Sequence, residues 1–180
     1  MAQELIKTIE QELHIAPLEK IDPNADQVPP SGLSMAQAAV PATLAGIFRA
    51  SRSAESSRIL LNNNKRSWLD LIFGDQHEAV QKNIAASCGQ SQEECARIME
   101  NTAGIAMDWF RTEAAEPVTE DSFREIVSRH RHEILVYLPA SLQMGSFLDD
   151  STIDDRTNKM EGPVSNLVHR IEDRFSGAGK

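Results

Sequence analysis

The densest gathering of side chains able to hold a metal is acidic. Asp149, Asp150, Asp154, Asp155 and Glu161 fall close together. The run DSTIDDRTNKME (150–161) sets Asp150, Asp154, Asn158 and Glu161 at positions 1, 5, 9 and 12, where a calcium loop carries oxygen donors. Two positions argue the other way. Position 6 is Asp155 where the sharp turn needs glycine, and position 8 is the polar Thr157. A solvated acidic connection is the plainer expectation, and a weak divalent-cation site on those four residues is the sharper one.

Cys88 and Cys95 stand in a Cys-x6-Cys spacing on either side of Gly89, so helical geometry does not set the distance between their sulfurs. Zinc sites use tighter pairs, two to four residues apart for cysteine. The pair could bridge, bind metal or do neither, and two buried thiols acting as small apolar side chains is the favoured expectation. His130 and His132, in RHRHE (129–133), are two apart and point in different directions on a helix, unlike an i, i+4 metal pair. They are expected at the surface. His14, His77 and His169 are isolated, and none of the five histidines follows a Gly-x-Ser-x-Gly nucleophile turn. No catalytic motif and no cofactor signature emerges.

The 180 residues carry 27 acidic against 18 basic side chains, a net charge of −9 that repels phosphate backbones, so nucleic acid is not an expected partner. One stretch runs against that sign: Arg49, Arg52, Arg58, Lys65 and Arg66 with only Glu55 between them. It reads as a solvated face beside a helix hairpin, with an anionic partner as the alternative. No segment approaches the ~20 apolar residues of a membrane helix, and the best, 38–48, is interrupted by Pro41. The opening residues lack a secretory pattern, which points to the cytoplasm; a precursor already trimmed of its signal would read the same.

Helical spacing positions all of these groups. Leu5, Ile6, Ile9 and Leu13 form one stripe of a helix over 1–15. A Pro-rich linker follows over 16–34, with Pro17, Pro23, Pro29 and Pro30, and it would leave that first helix loosely attached. A helical domain is expected over 35–176, then a frayed tail over 177–180. Within the domain, Ser34 caps a helix to about Arg52 that either begins or kinks at Pro41. Further helices are expected at 55–62, 66–73 and 76–88, the last with Ala79, Val80, Ile84 and Cys88 on one face. Ser91 and Glu94 read as a capping box for a helix to Thr112 that buries Cys95, Ile98, Met99, Thr102, Ile105, Ala106 and Trp109. One of Thr119, Asp121 and Ser122 opens the next, with Phe123, Ile126, Val127, Ile134 and Leu138 inward. A short helix through Leu142 to Leu148 follows Pro139, and Val164, Leu167, Val168, Ile171 and Phe175 stripe a closing helix. No alternating strand pattern occurs. The expected fold is all-α, a bundle of about seven to nine short helices.

Short segments echo one another. Val40-Pro41-Ala42-Thr43-Leu44 matches Leu138-Pro139-Ala140-Ser141-Leu142, and Ala45-Gly46-Ile47 matches Ala103-Gly104-Ile105. Small residues let helices approach closely, so the echo reads as a recurring buried crossing in an internal helical repeat. The run 69–110 resembles a family of uncharacterised bacterial helical proteins, the YidB-like family. The matching residues are Leu69, Gly74, Asp75, Val80, Ile84, Ala85, Gly89, Ser91, Ala96, Ile98 and Met99, then Leu138, Pro139 and Leu142. The resemblance spans about 34–148. Cys88 departs from the family's usual small or aromatic residue, and Thr102-Ala103 stands for the commoner Ala-Pro. It implies an all-α fold and a bacterial source, and brings no known activity.

The leading expectation is a non-catalytic interaction or scaffold module, with a protein partner or self-association through exposed apolar helix faces. A carboxylate-based hydrolase whose site assembles only in the fold is the alternative, and a pocket holding two or more carboxylates would favour it. Lipid contact would rest on the closing helix alone, whose polar face mixes Arg170 and Arg174 with Glu172 and Asp173.

Overall fold

The computed structural model describes residues 2–21, 33–63, 65–114, 116–150 and 153. They are all-helical, with no strand among them. The helices are α1 (Ala2–Leu13), α2 (Met35–Ser51), α3 (Ala54–Leu61), α4 (Trp68–Phe73), α5 (His77–Cys88), α6 (Gln92–Glu113), α7 (Glu120–Leu135) and α8 (Met144–Leu148). Two 3-10 turns, Gly74–Gln76 and Ala140–Leu142, join α4 to α5 and precede α8. The expected closing stripe, Val164 to Phe175, lies outside the described residues.

The centre is α2. Nearly every residue from Met35 to Ser51 is buried, and the helix packs against α3, α4, α5, α6, α7 and α8. A helix that is apolar on all sides belongs in a core. It runs unbroken through Pro41, which has no N–H for the Gln37 carbonyl. Gly46 is where α4 meets it: a Cβ there would stand 2.6 Å from the Phe73 ring and 2.7 Å from Ile72. The glycine is required by that crossing.

The first helix is not loosely attached. Leu5, Ile6 and Ile9 are core residues, and α1 packs on α6 and α7. The chain after it is pinned as far as Ile21. Leu18 N–H donates to Glu10 Oε1 at 2.7 Å, and Ile21 N–H donates to the Val136 carbonyl at 2.8 Å. The buried Gln37 amide accepts from Glu19 N–H at 2.7 Å and donates to the Glu19 carbonyl at 2.9 Å and the Tyr137 carbonyl at 3.1 Å.

Two expected faces rotate. On α6 the buried stripe is Cys95, Ile98, Met99, Thr102, Ala103, Ala106, Met107 and Phe110, which leaves Ile105 and Trp109 half-exposed at its edge. On α5, Gln81 and Ala85 join Val80 and Ile84 inward, while Ala79 is exposed. The α7 stripe is as expected through Ile134 and extended by His130 and Leu135, but the helix ends at Leu135, so the buried Leu138 falls in the turn beyond it. Ser91 caps α6 by accepting from Glu94 N–H at 3.2 Å, but no box closes there: the Glu94 carboxylate takes Arg97 at 2.6 and 2.9 Å. The closed box is at α7, between Thr119 and Ser122. The echoed segments also part company, since Val40–Leu44 is mid-helix and Leu138–Leu142 spans a turn and a 3-10 helix.

Candidate functional site

Of the four acidic-loop candidates, only Asp150 is among the described residues; Asp154, Asn158 and Glu161 lie outside them. Asp150 is buried, and its carboxylate accepts from Arg52 Nη1 at 2.6 Å. Three residues before Arg52, Arg49 Nε donates to the Leu148 carbonyl at 2.8 Å. Both arginines at the end of α2 therefore hold the turn that follows α8. Both arginines stay exposed to solvent, as a solvated face requires, while they tie down that turn. Arg58 stands 3.9 Å from Glu120 on α7.

His130 corrects the expectation of two surface histidines. It is buried on α7, with its ring 5.3 Å from that of Trp109 in an edge-on arrangement and Nδ1 3.4 Å from Glu133 Oε2. His132 is exposed. The signal was present in the spacing, because position 130 follows Phe123, Ile126 and Val127 by seven, four and three residues along one face. Cys95 is buried and Cys88 half-buried, and both are free thiols. Burial pushes the Cys95 thiol up to about 12, and the neighbouring Cys88 pushes the same way. Burial also raises Cys88. Among the described residues no three His, Cys, Asp or Glu side chains gather as metal ligands.

An open groove of about 750 Å³ lies where the end of α3, the end of α6 and the start of α7 converge. Leu61 and Val118 supply its apolar lining, Asn62, Thr112 and Thr119 its neutral polar groups, and Arg111, Glu116 and Glu120 its charges. The helix termini explain this composition. The last carbonyls of α3 have no partners within their helix, and Arg111 Nη2 reaches those of Leu60 and Leu61 at 3.2 Å each. Its Nη1 donates to Asp108 at 3.1 Å, and the guanidinium lies 5.7 Å over the Trp68 ring. Arg111 is thus held in place on one wall. Across from it, the N-cap Thr119 N–H donates to Ser122 Oγ at 2.9 Å and Ser122 N–H donates to Thr119 Oγ1 at 3.1 Å. Glu120 and Glu116 are not needed as caps and stay at the groove. Ile59, one turn before Asn62 on α3, is the large apolar side chain left exposed among the described residues, at 41 %.

Sequence reasoning assigned none of these residues to a site: Thr112 and Thr119 were read only as helix boundaries, and Arg111, Glu116 and Glu120, though within ten residues, match no motif spacing. The thoroughly occupied Glu100 was equally invisible. From α6 its carboxylate accepts from Trp68 N–H at 2.6 Å, Leu69 N–H at 3.1 Å and Ser67 Oγ at 3.2 Å, closing the start of α4. No family model, curated protein or solved structure matches the chain. No helix among the described residues is long and apolar enough to cross a membrane.

Proposed function

We propose that the chain is a non-catalytic helical interaction module, a YidB-like bacterial domain over about 34–148, that holds a short polypeptide segment in the groove between α3, α6 and α7. The observation that carries the reading is that groove, lined by apolar, hydrogen-bonding and charged groups together. Its volume of about 750 Å³ is within the usual range for binding pockets. A flat globular partner would need roughly 800 Å² of complementary surface on each side, and one exposed isoleucine offers too little apolar surface for that. A segment placing an apolar side chain over Leu61 and Val118 and a basic one toward Glu116 and Glu120 fits better, and a chain of net charge −9 attracts it. Two free thiols fit a cytoplasmic setting.

The buried and half-buried polar groups support a structural use elsewhere in the molecule. Glu100 closes α4, Gln37 clamps the segment after α1, and Asp150 takes Arg52. The second reading, a carboxylate-based hydrolase, rests on Glu116 and Glu120 lining the same groove. Both sit in open surroundings, with the Glu120 side chain 42 % exposed and facing Arg58, without the apolar enclosure that general-acid chemistry uses.

A displayed peptide library selected on the intact protein tests the first reading. Enrichment of segments pairing an apolar with a basic residue is expected, with binding lost in Val118→Arg and weakened in Glu116→Lys. Selection that is indifferent to both substitutions would sink it. Turnover of generic ester, glycoside or phosphodiester substrates that disappears in Glu116→Gln with Glu120→Gln would establish the hydrolase instead.

A further inference from the structure

The groove at the ends of α3, α6 and α7 and the expected closing stripe, which lies outside the described residues, match in chemistry. At helical spacing Val164, Leu167, Val168, Ile171 and Phe175 share one face. Each residue turns by about 100°, which sets Arg170 and Arg174 along one edge of that face and Glu172 along the other. The groove has the complementary order. Leu61 and Val118 are its apolar groups, Arg111 stands on the α6 side, and Glu116 and Glu120 stand on the α7 side.

We propose that residues 164–175 dock in this groove of their own chain, so that a free peptide must displace them to bind. The inference rests on the reading of the groove as a holder of polypeptide segments. The apolar stripe covers Leu61 and Val118, the arginine edge meets Glu116 and Glu120, and Glu172 meets Arg111. Charge draws the arginine edge inward. Residues 154–180 carry five acidic and five basic side chains, so the net charge of −9 belongs to residues 1–153. Reach is sufficient. Arg52 holds Asp150 just before Ser53 caps α3, and the groove is at the other end of that eight-residue helix, about 12 Å away. Eleven residues lead from Ile153, the last described residue, to Val164, and an extended chain of that length spans up to about 36 Å. A short tether holds its segment at roughly millimolar effective concentration, so the chain's own segment outcompetes a second copy at ordinary protein concentrations.

Nuclear magnetic resonance of the full chain tests this, read at the amides of Val118, Thr119 and Glu120 in the groove and of Leu167 to Phe175 in the segment. Ile171→Asp should shift the groove signals, and Val118→Arg should shift the segment signals, with circular dichroism unchanged in both. Arg170→Glu with Arg174→Glu keeps the apolar stripe and should shift the same groove signals. A synthetic peptide of residues 164–175 should bind the Ile171→Asp chain at least about tenfold more tightly than the unaltered chain, because no tethered segment competes there. Segment signals indifferent to Val118→Arg, groove signals indifferent to the arginine pair, or a peptide bound alike by both chains would each overturn the inference. So would loss of fold in Ile171→Asp, which would make the segment part of the core, or groove shifts that grow with protein concentration, which would mark a second copy. The two readings fail differently. Library peptides lost in Val118→Arg but bound alike by the unaltered and Ile171→Asp chains would remove the docked segment and keep the groove. Failure of every peptide, the 164–175 segment included, to bind at the groove of either chain would remove both.

Discussion

The starts of α4 and α7 face the same deficit, the unpartnered N–H groups of a first helical turn, and meet it from different sources. α7 is sixteen residues long and supplies its own solution: Thr119 and Ser122 exchange hydrogen bonds, and Phe123, Ile126 and Val127 give it a face to bury. α4 is six residues long, too short to be stable alone. Its own cap, Ser67 Oγ to Asp70 N–H, is long at 3.4 Å, and Glu100 from α6 takes the Trp68 and Leu69 N–H groups instead. α2 then receives it only because Gly46 has no side chain. A self-specified helix leaves nearby carboxylates out of its capping, as Glu120 lines the groove and faces Arg58, whereas a borrowed one consumes them, as Glu100 is consumed.

That contrast can be broken by substitution, measured as stability by chemical denaturation. The largest effect is expected at the α2–α4 crossing. Gly46→Val forces new atoms into the space of Phe73 and Ile72 and should cost about 3 kcal/mol, the upper end of ordinary overpacking. A neutral outcome would mean that α4 does not depend on that approach. Glu100→Ala comes next, at about 2 kcal/mol, the scale of hydrogen bonds to a charged group. The near-ultraviolet dichroism of Trp68 should change with it, and Glu100→Gln should recover part of the loss. Thr119→Ala removes a local cap and should cost about 1 kcal/mol. If it proves more damaging than Glu100→Ala, the ordering of borrowed above local support is reversed. Smallest is Arg124→Ala, which deletes an exposed pair with Asp121 and should stay below about 0.5 kcal/mol.

The sequence by itself determined the helices and most of their inward faces. Apolar residues at i, i+3, i+4 and i+7 need no partner to be read, and neither do caps such as Ser34, Ser91 and Thr119, because both depend on neighbours within a turn. The same periodicity would have placed His130 inward had its residue type not argued for the surface. Edges were less legible. Whether Trp109 or Phe110 sits deeper depends on the angle at which α6 meets its neighbours, and the stripe alone leaves that free. Everything that joins distant segments was decided by the tertiary structure. Gln37 finds Glu19 and Tyr137, Asp150 finds Arg52, and Glu100 finds α4, over separations of 18 to 100 residues that no local pattern encodes. The groove has the same origin: it exists where three helix ends meet, and a single polar residue carries no mark of which other ends it will face.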